Sequence, residues 1–169
     1  MNFENKLISG LFVKRYKRFF VDINVNNKIV TAHCANSGSM MGLLNKDCKV
    51  WITESNNKKR KLKYTLQIIE DNGSLVGVNT HLTNKIVNQA LENNLIKDFS
   101  NKVKIKSEKV FGDSTRFDFY LEDGEAKSFL EVKNVTLKRK SKIAEFPDSV
   151  TARGTKHLNE LINATKKGF

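Results

Sequence analysis

Two apolar-rich runs, residues 115–122 and 127–135, flank an Asp123-Gly124 turn signal, and this arrangement constrains the chain more than any other stretch. It reads as an antiparallel hairpin. A turn centred between Gly124 and Glu125 sets Asp118 opposite Glu131. Strand alternation then places Glu131 and Lys133 on one face and sends Phe117, Phe119, Leu121, Leu130 and Val132 the other way into a core.

Two carboxylates opposed on a sheet repel, so removing one is expected to relieve a cost, and a cation is expected to offset it. Mg²⁺ suits such a site: it takes carboxylate oxygen from one or two side chains and leaves its other positions to water and phosphate. Lys133, two residues beyond Glu131, is then placed to orient water or to stabilise charge at phosphorus. The competing reading is a solvated sheet face with ordinary surface pairs, each contributing about 0–1 kcal/mol.

Asp118 followed by Glu131-Val132-Lys133 resembles the core of PD-(D/E)xK nucleases, with Phe117 where the motif has proline. Further segments resemble one family in order along the chain. They are His33-Cys34-Ala35-Asn36-Ser37-Gly38-Ser39-Met40, Lys59-Arg60-Lys61-Leu62-Lys63-Tyr64-Thr65-Leu66, Val76-Gly77-Val78-Asn79-Thr80, Glu131-Val132-Lys133-Asn134-Val135-Thr136-Leu137, Phe146-Pro147-Asp148-Ser149-Val150 and Thr151-Ala152-Arg153-Gly154-Thr155-Lys156-His157-Leu158. The family is the bacterial and archaeal sugar fermentation stimulation protein A family. The resemblance implies an OB-fold-like N-terminal domain, a nuclease-like C-terminal domain, and sequence-independent DNA binding with a regulatory role in sugar (maltose) metabolism. Members of that family continue past the position of Phe169 with further strands and a helix. A truncated nuclease-like sheet is therefore expected.

The expected fold class is mixed α+β: a small OB-like β-barrel over residues 1–82, then an incomplete restriction-endonuclease-like α/β domain over residues 83–169. Strand-like runs at 19–25, 28–34, 50–53, 62–70 and 75–79 supply the barrel. Ile86, Val87, Ala90 and Leu91 recur at helical spacing behind Thr83 or Asn84, predicting a helix over 84–94. Residues 103–110 read as a strand. A final helix is expected after Pro147, capped by Asp148, with Val150, Leu158, Leu161, Ile162 and Thr165 towards its buried side. Trp51 and Phe111 are expected in cores.

The formal charge of +12 favours a polyanionic partner. The excess is uneven: residues 1–85 hold 14 Lys and Arg against 6 acids, whereas residues 86–169 hold 16 against 12. Lys14, Arg15, Lys17 and Arg18 surround Tyr16, a combination that suits phosphate tracking with base stacking, or equally a protected strand edge. Lys58, Lys59, Arg60 and Lys61 form a basic loop. Lys138, Arg139 and Lys140 follow the Glu131–Lys133 strand, and Arg153, Lys156 and His157 share one side of the last helix. All are candidate nucleic-acid contacts. Glu108 is a third candidate metal carboxylate beside Asp118 and Glu131.

No apolar run is long enough to span a bilayer, and the charges at Lys14–Arg18 follow the first apolar stretch rather than precede it, against a secretory signal. Cys34 and Cys48 lack CxxC spacing and read as reduced thiols. A cytoplasmic, nucleoid-associated setting is expected, with DNA as partner, no membrane and no small-molecule cofactor. Three classes stay open: a DNA-binding protein, a Mg²⁺-dependent phosphodiesterase using Asp118, Glu131 and Lys133, and an RNA-binding protein.

Overall fold

The computed structural model describes residues 2–112, 115–147 and 150–169. The chain forms two compact units, one of residues 1–82 with 134–148, the other of residues 83–133 with 149–169. Residues 134–148 were expected in the second domain by chain order. They cluster with the first because Asn134 donates to the Gly77 carbonyl and because Leu137 and Glu145 form a β-bridge whose Leu137 reaches Gly42.

In the first unit, β1 (Leu7–Tyr16), β2 (Phe20–Val25) and β3 (Lys28–His33) form an antiparallel meander, with Asn26 and Asn27 both left-handed at the β2–β3 turn. Asparagine tolerates that conformation better than most residues, which is why the dipeptide makes a tight hairpin. β4 (Lys49–Glu54) pairs with β1, and β5 (Tyr64–Asp71) pairs with β4. Two parallel pairs, Ala32 with Tyr64 and His33 with Thr65, join β3 to β5. The ring of five strands is thereby closed, as an OB-like barrel requires, and β6 (Ser74–Gly77) hangs on β5 outside it.

Alternation fills the barrel. Val21, Ile23, Ala32, Val50, Leu66 and Ile69 are fully buried, with more exposed neighbours on β2, β3 and β4; on β5 Thr65 and Gln67, on either side of Leu66, are buried too and hydrogen-bonded. β1 and β2 approach so closely at Gly10 that an added Cβ would lie 2.6 Å from Ile23 Cγ2 and 2.7 Å from the Asn24 carbonyl oxygen. β1 was expected only as a candidate strand edge at residues 14–18 and not among the barrel runs, since its charges interrupt the apolar pattern. Trp51 is half-buried rather than core, with the Lys49 ammonium 5.2 Å above its ring.

The second unit has a three-stranded antiparallel sheet of β7 (Lys104–Phe111), β8 (Thr115–Asp123) and β9 (Ala126–Leu130), with β8 central. Helix α1 (Thr83–Glu92) packs Val87 and Leu91 against Phe119 and Leu121, joined by Leu130 and Val132. Helix α2 (Ala152–Lys166) packs Leu161 and Ala164 against Phe111, Phe117 and Phe129. Each buried phenylalanine contributes about 1.5–3 kcal/mol relative to exposure. The sheet is covered by a helix on each of these two clusters.

Helix α2 departs from expectation at its start and on its faces. Thr151 is the N-cap, its hydroxyl accepting from the Gly154 N–H at 3.0 Å. The expected cap, Asp148, lies outside the described residues. Leu161 packs as expected, whereas Leu158, Ile162 and Val150 are exposed, Val150 almost completely. The three were grouped by apolarity, but the packed stripe runs through Leu161 and Ala164.

Candidate metal and nucleic-acid site

The hairpin ladder runs from Asp123 with Ala126 to Phe119 with Leu130, the register that the Asp123-Gly124 turn implied. One step further, Asp118 comes opposite Glu131. There the backbone ladder stops, and the Val132 N–H donates instead to Asp118 Oδ2 at 2.7 Å. The Asn84 side-chain amide, in the first turn of α1, donates to Asp118 Oδ1 at 2.8 Å. Asp118 is thus held from two sides by neutral donors.

The Glu131 side chain is only 12% exposed. Its Oε1 receives the Lys133 ammonium at 2.5 Å and lies 3.0 Å from His157 Nδ1. An ionised carboxylate only accepts, so this contact puts a proton on Nδ1. The His157 ring is also set edge-on to Phe117, centroids 6.0 Å apart. The second oxygen of Glu131, Oε2, is buried with no hydrogen-bond partner. A buried oxygen left bare is costly, on the order of 1–3 kcal/mol or more for a charged group.

That orphaned oxygen tests the fit of a divalent cation. A hard cation ligated by oxygen would satisfy Glu131 Oε2, and Asp118 retains lone pairs beyond the two donors it receives. The donor set fits a hard cation with one or two carboxylates. Glu108 does not join it. The pairs Ser107 with Phe119 and Lys109 with Phe117 place Glu108 across from Asp118, yet its backbone is left-handed at φ 53° and its exposed carboxylate pairs with Arg116 at 3.3 Å. Among the described residues no group of three or more His, Cys, Asp or Glu is gathered for a metal.

A cleft of about 390 Å³ adjoins this site through His157, and its other lining residues are Thr115, Arg116, Ala152, Arg153 and Lys156. It brings Arg153, Lys156 and His157 together, as their helical spacing implied. Thr115 is buried, with its hydroxyl unpaired. Sequence reasoning missed Asn84 as the partner of Asp118, Arg116 as a lining cation, and His157 as the partner of Glu131. For Asn84 the only signal was its position at the start of a helix.

The other basic candidates fall in the first unit and differ in how far they are engaged. Arg15 is a structural clamp: its guanidinium donates to the carbonyls of Arg18, Asn36 and Gly38 at 2.8–2.9 Å. Tyr16 stacks on Phe20, and Lys14 reaches Asp22 at 3.7 Å. Lys17 and Arg18 are exposed in the β1–β2 turn. Arg60 donates to Thr65 Oγ1 at 2.9 Å, whereas Lys58, Lys59 and Lys61 are exposed. Arg139 is bound by Glu145 at 2.6 Å, which holds the Glu145 carboxyl below and the guanidinium above their usual ranges. Lys138–Lys140 thus belong to the barrel unit, not to the unit that carries Glu131 and Lys133.

Residues 13–78 match the family described as the SfsA N-terminal OB domain, and residues 81–169 that described as the sugar fermentation stimulation protein RE domain. A sugar fermentation stimulation protein homolog of Pelagibacter ubique is 54% identical over the whole of this chain, which spans 73% of that relative. The Maricaulis maris homolog is 42% identical over 99% of the chain and 72% of its own length. The structure of Pyrococcus furiosus SfsA in complex with Ca²⁺ is similar at a TM-score of 0.83 and 25% identity, covering 99% of this chain and 71% of that one. With a closed OB-like barrel, a second three-stranded sheet and these matches along nearly its full length, the chain belongs to the sugar fermentation stimulation protein family.

Proposed function

We propose that this protein binds DNA with little regard to sequence, with a regulatory role in sugar metabolism. The observation that carries this reading is the cleft lined by Arg116, Arg153, Lys156 and His157, set in a chain of charge +12. The Arg116, Arg153 and Lys156 side chains gathered around a concavity suit phosphate oxygen, and phosphate contacts carry affinity without reading bases.

A second reading, divalent-metal-dependent cleavage of the DNA backbone, is favoured by the bare Glu131 Oε2. Asp118 and Glu131 would hold the ion, which would supply positive charge and an activated water at phosphorus. The solved SfsA relative carries Ca²⁺. In this chain Lys133 balances Glu131 and is placed to orient water, and His157 keeps the Glu131 carboxylate in position. Incubation of the purified protein with supercoiled plasmid, with and without Mg²⁺, tests both readings. A band shift in both conditions supports DNA binding, nicking only with Mg²⁺ adds cleavage, and absence of any shift at low salt removes both.

A further inference from the structure

A row of rings faces out of the barrel across three strands. The pairs Tyr16 with Phe20 and Phe20 with His33 put these side chains on one face, opposite to Val21 and Ala32, which are wholly buried in the core. Tyr16 and Phe20 are stacked, with centroids 5.4 Å apart and planes 18° from parallel. Phe19 and His33 are stacked in the same manner at 6.4 Å and 14°, and His81 continues the row 6.2 Å from His33. Phe19 is 43% exposed and Tyr16 37%. None of these rings is among the buried residues of the barrel core; Tyr16, Phe19 and His81 are exposed, and Phe20 and His33 are half-buried beneath their stacking partners.

The surroundings select the ligand. Lys17 and Arg18 form the turn between Tyr16 and Phe19, Lys14 lies over the Tyr16 ring, and Arg60 is held beside His33 through Thr65. Asp22, the acid on this face, is occupied by Tyr16, Thr31 and Lys14. Burial, Arg60 and His81 lower the His33 pKa, keeping its imidazole neutral near pH 7. Planar rings set among cations suit a polyanion with exposed aromatic faces. In a duplex each base face is covered by its neighbours; in a single strand it is free to stack.

We infer that the Tyr16, Phe19, Phe20, His33 and His81 face is a stacking platform for unpaired bases of single-stranded DNA. The inference rests on the reading of the protein as a DNA binder and adds the form of DNA that the barrel engages.

The test uses the full chain and fluorescence anisotropy with three labelled ligands: a twelve-residue oligo-dT, an abasic sugar-phosphate strand of the same length, and a short duplex. The abasic strand keeps the phosphates and removes the stacking partner. Oligo-dT should bind about tenfold or more tightly than the abasic strand, since each stacked base is worth about that factor. Phe19→Ala and His33→Ala should each remove most of that advantage while leaving abasic and duplex binding within about twofold, and Phe19→Trp should retain it. Equal binding of oligo-dT and the abasic strand, or a Phe19→Ala variant weakened equally for all three ligands, overturns the platform while duplex binding stands. In a separate arm with a twelve-residue oligo-rU, tighter binding of that strand than of oligo-dT overturns the assignment to DNA. If no ligand binds at low salt, the DNA-binding reading itself has failed and the platform with it.

Discussion

The Asp118 carboxylate takes the Val132 N–H at 2.7 Å, at the point where the β8–β9 backbone ladder ends. A side chain here does the work of a strand carbonyl. Its other oxygen accepts from Asn84 and so ties the hairpin to α1. Removing one of two opposed acids relieves repulsion, but at Asp118 it also disturbs these two donors. Asparagine at 118 would turn an NH₂ group towards one of them. Asp118→Asn should therefore lower unfolding free energy by about 1–3 kcal/mol, read by urea denaturation at neutral pH. Unchanged or increased stability would mean that repulsion with Glu131 outweighs both hydrogen bonds.

Glu131 and Lys133 make opposite predictions for metal. Glu131→Gln removes the charge that faces the bare position at Oε2, so calorimetric titration with Mn²⁺ should show binding lost or reduced at least tenfold. Lys133→Ala removes a competitor for Oε1 and no ligand, so Mn²⁺ binding should persist or tighten. Under the cleavage reading the same variant loses plasmid nicking. Equal Mn²⁺ affinity in wild type and Glu131→Gln would mark these carboxylates as structural only.

The register of this hairpin was legible because a two-residue turn and strict alternation fix it locally. Glu108, which the sequence left between a metal carboxylate and an exposed acid, was not legible for the converse reason. Its left-handed backbone interrupts β7 at the one position where alternation would have aimed it at the site. Barrel closure was legible as a class but not as a contact, since it rests on just two pairs between β3 and β5, about thirty residues apart in sequence. β1 was legible only as a strand edge at its basic end, because Lys14 and Arg15 break its apolar pattern, although Arg15 turns back to clamp three carbonyls. Nothing in composition distinguishes that arginine from the exposed Arg18 three residues later.

Salt dependence tests the electrostatic reading. For arbitrary duplex DNA, log affinity should fall linearly with log salt. The triple variant Lys58→Ala, Lys59→Ala, Lys61→Ala removes exposed cations without touching Arg60, which is hydrogen-bonded to Thr65. Each lost phosphate contact should reduce the slope by about one. Arg153→Ala in the cleft should act in the same direction. A slope unchanged in both variants would leave the charge of +12 without a role in binding.

Close approach of β1 and β2 gives a test of the barrel itself. At Gly10 an alanine Cβ would meet the Asn24 carbonyl oxygen, which is backbone and moves only with the strand. Gly10→Ala should destabilise by about 1–3 kcal/mol, as overpacking in a closed structure does. Gly77→Ala is the matched control, because nothing lies within 4 Å of its added Cβ and its φ is ordinary. Thermal melts should separate the two; equal melting points would show that β1 can shift outward at no cost.

The pH dependence of stability should carry a contribution from His33. Its pKa in the folded chain is lowered from 6.5 by burial first, then by Arg60 and His81. The unfolded chain therefore binds a proton at His33 more readily than the folded one. The resulting stability is fully present above the unfolded value and is lost as pH falls through the folded pKa below it. Melting temperature should decline on acidification from pH 7.5 to pH 5.5, and the decline should be shallower in His33→Gln, which cannot take up the proton. Measurement in moderate salt will shrink the part due to Arg60 and His81 and leave the part due to burial, so the wild-type slope should fall with salt without vanishing. Parallel melting curves for the two proteins across this range would show that His33 is equally basic in the folded and unfolded chains.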